Sequence, residues 1–394
     1  MQTIQKNALE KLNAVLSFVK NSFVGKDEVI DLLGIALIGR ENAFLLGSPG
    51  TAKSAIVRML SNSVEDGQNF EYLLTRFTEP NELFGAFDIR KLKEGELITN
   101  TTGMLPEASV VFLDEIFNAN SAILNSLLMA LNERIFRRGQ ETKKLPALMF
   151  VGASNQLPED EALAALLDRF LVRVKCENVS PDNLQAVLMA GRKLEKNTLN
   201  GSSTETQPKI TPQEIIELQN LSKQVDLSDV LKAYLDLIHS LRNTGVKVSD
   251  RRAVKVQNLV AASAVMCGRE KAILSDLWVL KYIWDNEEQV EILQGIVNSV
   301  VEKDLDKQNE TGENFMNHPQ ALSNTIPNAE ELIKEILELQ KEWEKESQSF
   351  EQKNLIKDKL RYLQNRSNWI KNTQHKTHIQ TEIENLWKKI LKSV

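Results

Sequence analysis

Eight residues, Gly47-Ser48-Pro49-Gly50-Thr51-Ala52-Lys53-Ser54, constrain this chain more than any other feature. They follow a short apolar run at 42–46 and precede a helical periodicity over 54–60, so the local reading is strand, turn, helix. In that setting the backbone N–H groups of the turn face inward. The helix N-terminus adds partial positive charge, and phosphate oxygens are held there. Lys53 then reaches the β- and γ-phosphates, and the Ser54 hydroxyl ligates magnesium. Ala52 stands where glycine is usual before the lysine. Its methyl is tolerable if the backbone keeps a conformation open to L-residues.

A second strand, 110–113, ends in Asp114-Glu115. A buried strand delivers such terminal side chains to the carboxyl edge of an open α/β sheet, where ligands bind. Asp114 can hold magnesium through water, and Glu115 can act as general base toward the attacking water. A third strand, 148–153, is followed by Ser154-Asn155. That amide is either a turn residue or a group that orients water beside the γ-phosphate. The Asp168-Arg169-Phe170 cluster and Arg173 come next. Each arginine is either solvated or, in a ring, able to reach a neighbouring subunit's site. Ser249-Asp250-Arg251-Arg252 reads as a capped helix start.

Further apolar runs at 70–74 and 171–174, alternating with helical patterns at 122–131 and 162–167, predict a parallel sheet covered on both faces. This gives an α/β core over 1–196, a polar linker over 197–211 and an all-α lid over 212–303. A second linker follows at 304–327, then a C-terminal helical domain over 328–394. In the tail, Leu332, Ile336, Leu339, Trp343 and Phe350 fall on a heptad-like stripe, as do Ile379, Ile383, Leu386 and Ile390. Antiparallel packed helices and a single long solvated helix are both compatible with that pattern.

Composition narrows the function. The 48 basic and 54 acidic side chains give a formal charge of −6, so no global positive field recruits nucleic acid. Two cysteines, Cys176 and Cys267, are too few for a disulfide framework and lack metal-type spacing, which fits a reducing compartment. No apolar run approaches the roughly 18 residues of a membrane span, and the first residues do not read as a signal peptide. The expectation is a cytoplasmic, soluble protein.

Together these motifs resemble those of AAA+ ATPases, more narrowly the MoxR branch and within it the regulatory ATPase variant group, RavA. The resemblance rests on FLLGSPGTAKS (44–54), EYLLTRFTEPNELFG (71–85), GMLPEASVVFLDEIFNA (103–119), ILNSLLMALNERIFRRG (123–139), VGASNQLPEDEAL (151–163), LLDRFLVRV (166–174) and VSDRRAVKV (248–256). Alanine before the Walker A lysine is shared by that branch.

The resemblance implies an α/β P-loop NTPase core with an all-α lid and a helical C-terminal domain. It implies that residues 47–55, from Gly47 to Ala55, bind nucleotide, with Lys53 and Ser54 as Walker A. Asp114 and Glu115 become Walker B, Asn155 sensor 1, and Val24-Gly25 an adenine contact. Arg169 is the first choice for arginine finger and Arg173 the second. Arg251 is the first choice for sensor 2, with Arg252 as fallback. Two inserts, 87–102 in helix 2 and a hairpin over 134–146 with Gly139 at its turn, would project toward a central pore, where the Arg137-Arg138 tip meets substrate. The tail resembles only the helical part of the RavA-type domain, with no β-rich segment between 309 and 327.

ATP or ADP and magnesium, a hexameric ring of identical subunits, a protein client and a von Willebrand factor A (vWA) domain partner are the implied ligands and partners. The expected activity is ATP hydrolysis coupled to remodelling or maturation of another protein. A nucleic-acid-stimulated motor of the same clade and a nucleotide-gated scaffold are the alternatives.

Overall fold

The computed structural model describes residues 3–95, 97–138, 141–179, 184–199, 207–311, 317–321, 329–344, 356, 360, 363 and 373–392. Gly139, Phe350 and the polar stretches 200–206, 312–316 and 322–328 lie outside them. The chain falls into two units: residues 1–226 with 254–272, and residues 227–253 with 273–394.

The first unit is built on five parallel strands in the order β2-β3-β6-β1-β7. They are β1 (Ala43–Leu46), β2 (Asn69–Leu73), β3 (Val110–Asp114), β6 (Met149–Ser154) and β7 (Val172–Lys175). The register is set by Ala43 pairing with both Val151 and Val172, and by Val110 pairing with Met149. β1 and β6 are buried along their whole length. Both faces of these two strands are covered, which explains their continuously apolar sequence, whereas the edge strand β2 alternates and leaves Glu71 and Leu73 exposed. Phe44 in β1 packs near Phe117 and Phe170, ring centroids 5.3 and 6.1 Å away.

Helices α1 (Thr3–Ser22), α2 (Asp27–Gly39), α3 (Lys53–Asn62), α6 (Ser121–Glu133), α7 (Glu161–Leu167) and α8 (Leu184–Leu199) belong to this unit, as do the short helices α4 (Pro80–Phe84) and α5 (Ile89–Lys93). Their starts are written in the sequence. Asn120 caps α6 by accepting from the Ala122 and Ile123 amides, and Asp160 caps α7 in the same way. Helix α9 (Pro212–Ser222) opens on a Thr211–Glu214 capping box. The sequence reading assigns α9 to the helical lid. In the structure α9 packs on α1 and α2, with Gln219 Nε2 donating to the Leu37 carbonyl at 2.9 Å and Lys11 paired with Glu214. An amphipathic pattern reveals that a helix has a buried face, and is silent about what covers it.

Two small inserts interrupt the α/β alternation. Strands β4 (Ile135–Arg138) and β5 (Glu141–Lys144) form an antiparallel hairpin, and Phe87 bridges Thr99 to close a loop around α5. The inserts are fastened to each other. Arg138 donates to the Gly85 carbonyl at 2.6 Å and to Asn81 Oδ1 at 2.7 Å, and its guanidinium lies 4.0 Å above the centre of the Phe87 ring. The Thr99 amide donates to Glu141, and Phe84 stacks near Phe136. Arg138 is therefore an internal clamp, and of the Arg137-Arg138 pair only Arg137 is solvent-exposed. Ile89, Leu92 and Leu97 are exposed on the clamped loop.

The second unit is helical. It contains α10 (Leu231–Asn243), the start of α11 (Asp250–Met266), a 3-10 segment over Leu274–Tyr282, and α12 (Gln289–Thr311) around buried Trp278 and Trp284. Beyond it, α13 (Ala329–Trp343) and α14 (Thr373–Lys392) share an apolar cluster. Leu332, Ile336 and Leu339 meet Ile379, Ile383, Leu386 and Ile390, and Ile356, Leu360 and Leu363 complete it at helical spacing. Lys389 pairs with Glu344 at 2.9 Å, joining the carboxyl ends of α13 and α14. Those two described helices run the same way, so the pair itself is parallel and not the antiparallel pair of the sequence reading. The single solvated helix is excluded. Among the described residues no helix is long and apolar enough to cross a membrane.

The clamp leads to a prediction. Arg138→Ala removes two charge-assisted hydrogen bonds and a cation–π contact, together worth about 2 kcal/mol. Hydrogen exchange should quicken by at least about tenfold at the Asp88 and Asn100 amides, which bond across the loop. Core strand amides should be unaffected. Unchanged exchange at the two loop amides would show that the inserts are held independently.

Candidate functional site

Because the five strands are parallel, their carboxyl ends line one edge of the sheet. β1 leads into the 47–54 turn there, β3 presents Asp114 and Glu115, and β6 presents Ser154 and Asn155. The strand carrying Asn155 lies between the other two, which places the amide between the loop and the carboxylates. Asn155 is exposed.

Each part of the loop has a physical cause. Gly47 donates its amide to the Ser154 carbonyl at 3.1 Å. A Cβ at 47 would sit 2.3 Å from the Cys176 carbonyl oxygen, so only glycine fits. Gly50 has φ +85°, and Thr51 Oγ1 donates to the Ser48 carbonyl at 2.9 Å, tightening the turn around Pro49. Lys53 Nζ donates to the Gly47 and Ser48 carbonyls. The first backbone bond at the start of α3 runs from the Ile56 amide to the Ala52 carbonyl. The amides of the preceding turn therefore have no helical acceptor, which suits anionic oxygens.

Ser54 Oγ lies 3.0 Å from Asp114 Oδ2. A hydroxyl and a carboxylate at that separation are hard oxygen donors of the kind magnesium takes from a protein when phosphates supply others. Among the described residues no cluster of three or more His, Cys, Asp and Glu competes for such an ion. Asp114 Oδ1 accepts the Glu115 amide at 3.0 Å, which fixes the carboxylate's orientation.

The Val24-Gly25 turn between α1 and α2 lies at the same edge. Gly25 has φ +72° and abuts Val179, while Lys26 donates to the Glu177 carbonyl just beyond β7. Burial pushes the neighbouring Cys176 thiol up to about 11, with Lys26 and Lys53 opposing the shift. At that value the thiol is a protonated wall residue. The role of Cys176 as backbone wall was missed from sequence. Its one signal was its place directly after β7.

The two candidate fingers occupy different environments. Arg173 lies within β7, 1% exposed, with Nε on the Phe170 carbonyl at 3.0 Å and Nη2 on the Leu167 carbonyl at 3.2 Å. It is committed to the core. Arg169 precedes β7, is partly exposed and pairs with Asp168 at 2.7 Å. The amino ends of the strands form the opposite edge, where the Leu171 and Val172 amides bond to the Asn42 carbonyl. Four strand residues at about 3.3 Å each put roughly 13 Å between the two edges. Arg169 thus stands across the sheet from the 47–54 loop of its own chain.

In the second unit, Arg252 is buried, paired with Asp285 at 2.7 Å and donating to the Ile283 carbonyl at 2.6 Å. Arg251, one residue earlier in the first turn of α11, is exposed.

Two site residues sit in left-handed backbone. Ala52 has φ +68°, ψ +15°, and Glu115 has φ +49°, ψ +47°. The condition set for the Ala52 methyl is not met, because this is the region L-residues avoid, at about 1–2 kcal/mol each. Ala52→Gly should relieve that strain, offset in part by the freer unfolded chain. A net gain of about 0.5–1 kcal/mol, or about 2 °C in Tm, is expected. A lower Tm would show that the methyl makes compensating contacts.

The comparisons with known proteins agree with this geometry. A family model described as the MoxR domain in the MoxR-vWA-beta-propeller ternary systems matches residues 10–220, and an AAA lid domain model matches residues 226–297. Two uncharacterized proteins of Methanocaldococcus jannaschii are similar. One is 33% identical over 306 residues, 76% of this chain and 78% of its own. The other is 36% identical over 281 residues, 71% and 72%. Chaperone MoxR1 of Mycobacterium tuberculosis is 26% identical over 175 residues, 43% of this chain and 45% of its own. A solved structure from Cytophaga hutchinsonii described as a "putative ATPase" superposes with TM-score 0.61 at 19% identity, covering 76% of this chain and 96% of that one. That likeness bears on the fold alone. With more than half of its length matched by the MoxR model, the chain belongs to the MoxR family of AAA+ ATPases.

Proposed function

We propose that the protein is a magnesium-dependent ATPase that works as a ring, hexameric as the AAA+ resemblance implies, and remodels or matures a protein partner. The observation that carries this reading is the Ser54–Asp114 contact at the carboxyl edge, directly beside the lysine-bearing loop. Ser54 and Asp114 would hold magnesium, which when bound neutralises charge on the β- and γ-phosphates. Lys53 leaves the loop carbonyls for the phosphate oxygens. Val24-Gly25 contacts the base. Asn155 orients the hydrolytic water. The Glu115 carboxylate takes a proton from that water as its oxygen bonds to the γ-phosphorus. The bond from phosphorus to the bridging oxygen breaks, releasing ADP.

Arg169 is assigned as the finger that completes a neighbouring subunit's site, because it is partly exposed and stands at the edge away from its own loop. Arg251 is assigned as sensor 2, since Arg252 is engaged with Asp285. The MoxR-vWA-beta-propeller description of the matched family supports a vWA-domain protein as partner. The apolar cluster shared by the tail helices supports kinship with the RavA group, and the balance of charge and the buried thiols suit the cytoplasm.

Subunit mixing tests this. Glu115→Gln alone should lose about 10²–10⁴ in turnover while still binding ATP, and Arg169→Ala alone about 10³ or more. A mixture contains sites where an intact Glu115 faces an intact Arg169, so activity should return, with a wild-type rate per subunit that rises with concentration. Normal turnover in Glu115→Gln removes the base assignment. No recovery, with a concentration-independent wild-type rate, would mean a self-contained site.

A further inference from the structure

Asn42 is a buried amide at the end of the sheet farthest from the nucleotide loop, and all of its side chain is in use. It is 1% exposed. Nδ2 donates to the Arg169 carbonyl at 2.8 Å and to the Leu131 carbonyl at 3.3 Å. Oδ1 accepts from Arg134 Nη2 at 2.7 Å. Arg134 ends α6 in left-handed backbone, φ +55°, and its carbonyl accepts the Leu145 amide, so it forms the root of the β4–β5 hairpin. The residue is 9% exposed, and its guanidinium lies 4.6 Å from the centre of the Phe150 ring. Burial and the nearby Arg40 lower its pKa to about 10, with Glu41 opposing. Among the described residues, Arg134 Nη1 and Arg169 Nε are buried with no hydrogen-bond partner. Two unsatisfied donors flanking one amide are a cost that stability alone does not explain.

We propose that Asn42 is a positioning residue for the Arg169 finger, and that it ties the finger's backbone to the root of the hairpin. This rests on the shared-site reading given above. One amide bonds the backbone that aims Arg169 and the arginine that anchors the hairpin, so a load on the hairpin displaces the finger in the neighbour's site. Glu41, the residue before it, extends the junction to α11: Oε2 pairs with Lys255 at 2.9 Å and Oε1 accepts from Asn258 at 3.1 Å.

The test uses the full-length chain. Asn42→Asp keeps the size of the side chain and its contact with Arg134, yet sets a carboxylate oxygen against the Arg169 and Leu131 carbonyls. Its own nucleotide loop lies at the other edge, so affinity for a fluorescent ATP analogue should stay within about twofold. A finger misplaced by about 1 Å should lower kcat on the order of 10- to 100-fold. Mixing Asn42→Asp with Glu115→Gln should restore activity as Arg169→Ala does, and mixing it with Arg169→Ala should not. A lesion of general packing would weaken nucleotide binding and would not be complemented.

Arg134→Met is the second variant. It trades a partly unsatisfied buried guanidinium for an apolar chain of similar length, a change buried sites tolerate, and the same complementation pattern is expected. Wild-type kcat in both variants, while Arg169→Ala and Glu115→Gln complement each other, would overturn the role of Asn42 alone. If those two fail to complement, the shared-site reading falls and the positioning role falls with it.

Discussion

The direction shared by five strands is the constraint from which this site follows. In a parallel sheet every strand ends on the same edge, so three loops far apart in sequence converge without any long-range pairing of their own. The 47–54 turn, Asp114-Glu115 and Asn155 meet because β1, β3 and β6 are adjacent and in register. The same polarity sends whatever precedes a strand to the far edge. Arg169 and Asn42 are there for that reason. An antiparallel arrangement of the same strands would have scattered the carboxylates and the phosphate loop to opposite sides.

The local chemistry then depends on backbone that resists its own side chains. Ala52 and Glu115 occupy left-handed conformations: Ala52 where the loop gives way to α3, and Glu115 directly after β3. Strain of about 1–3 kcal/mol per residue persists only where surrounding contacts enforce it. Here the Gly47–Ser154 bond fixes one loop, and the Asp114 carboxylate, holding the Glu115 amide, fixes the other. The geometry at Glu115 turns the chain sharply, so that two consecutive acids have different surroundings. Asp114 faces Ser54, and Glu115 is the acid proposed to act on water.

Much of this was legible in the sequence, and the reason is that strand ends are marked twice. An apolar run shows where a strand is buried, and the polar residue that stops it shows what reaches the edge. The loop, both acids and Asn155 carry that double mark, whereas the hairpin expected over 134–146 came from the family resemblance alone. The arginines do not. Arg169 and Arg173 are four residues apart beside the same strand, and only packing decides that Arg173 is enclosed by the Phe170 and Leu167 carbonyls. Arg252 is engaged by Asp285, 33 residues away. Arg138 looked like a tip residue because its partners, Asn81 in α4 and Phe87 at the start of the other insert, lie far earlier in the chain. The conformation of Ala52 was open in the sequence for a related reason, since the dihedral of a turn is set by its closure and not by its composition. Asn42 gave no signal beyond being polar between two apolar segments.

Placing a finger and a nucleotide loop on opposite edges of one sheet has a mechanical consequence. Under the shared-site proposal, such a subunit would not complete its own site, and any segment that anchors Arg169 would be remote from the nucleotide it serves. Coupling between hydrolysis and work would then pass through the body of the core. A packed parallel sheet transmits displacement because its interior is dense and hardly compressible. The polar junction at Glu41-Asn42 lies where such displacement would be felt, between the root of the hairpin, the finger and α11. Apolar packing at that point would be more forgiving, since side chains can slide against one another at little cost. A buried amide with every polar atom engaged has few alternative arrangements. The junction therefore favours discrete positions of the Arg169 backbone over gradual drift, which is the property the proposed ring would need for neighbouring sites to be either competent or idle.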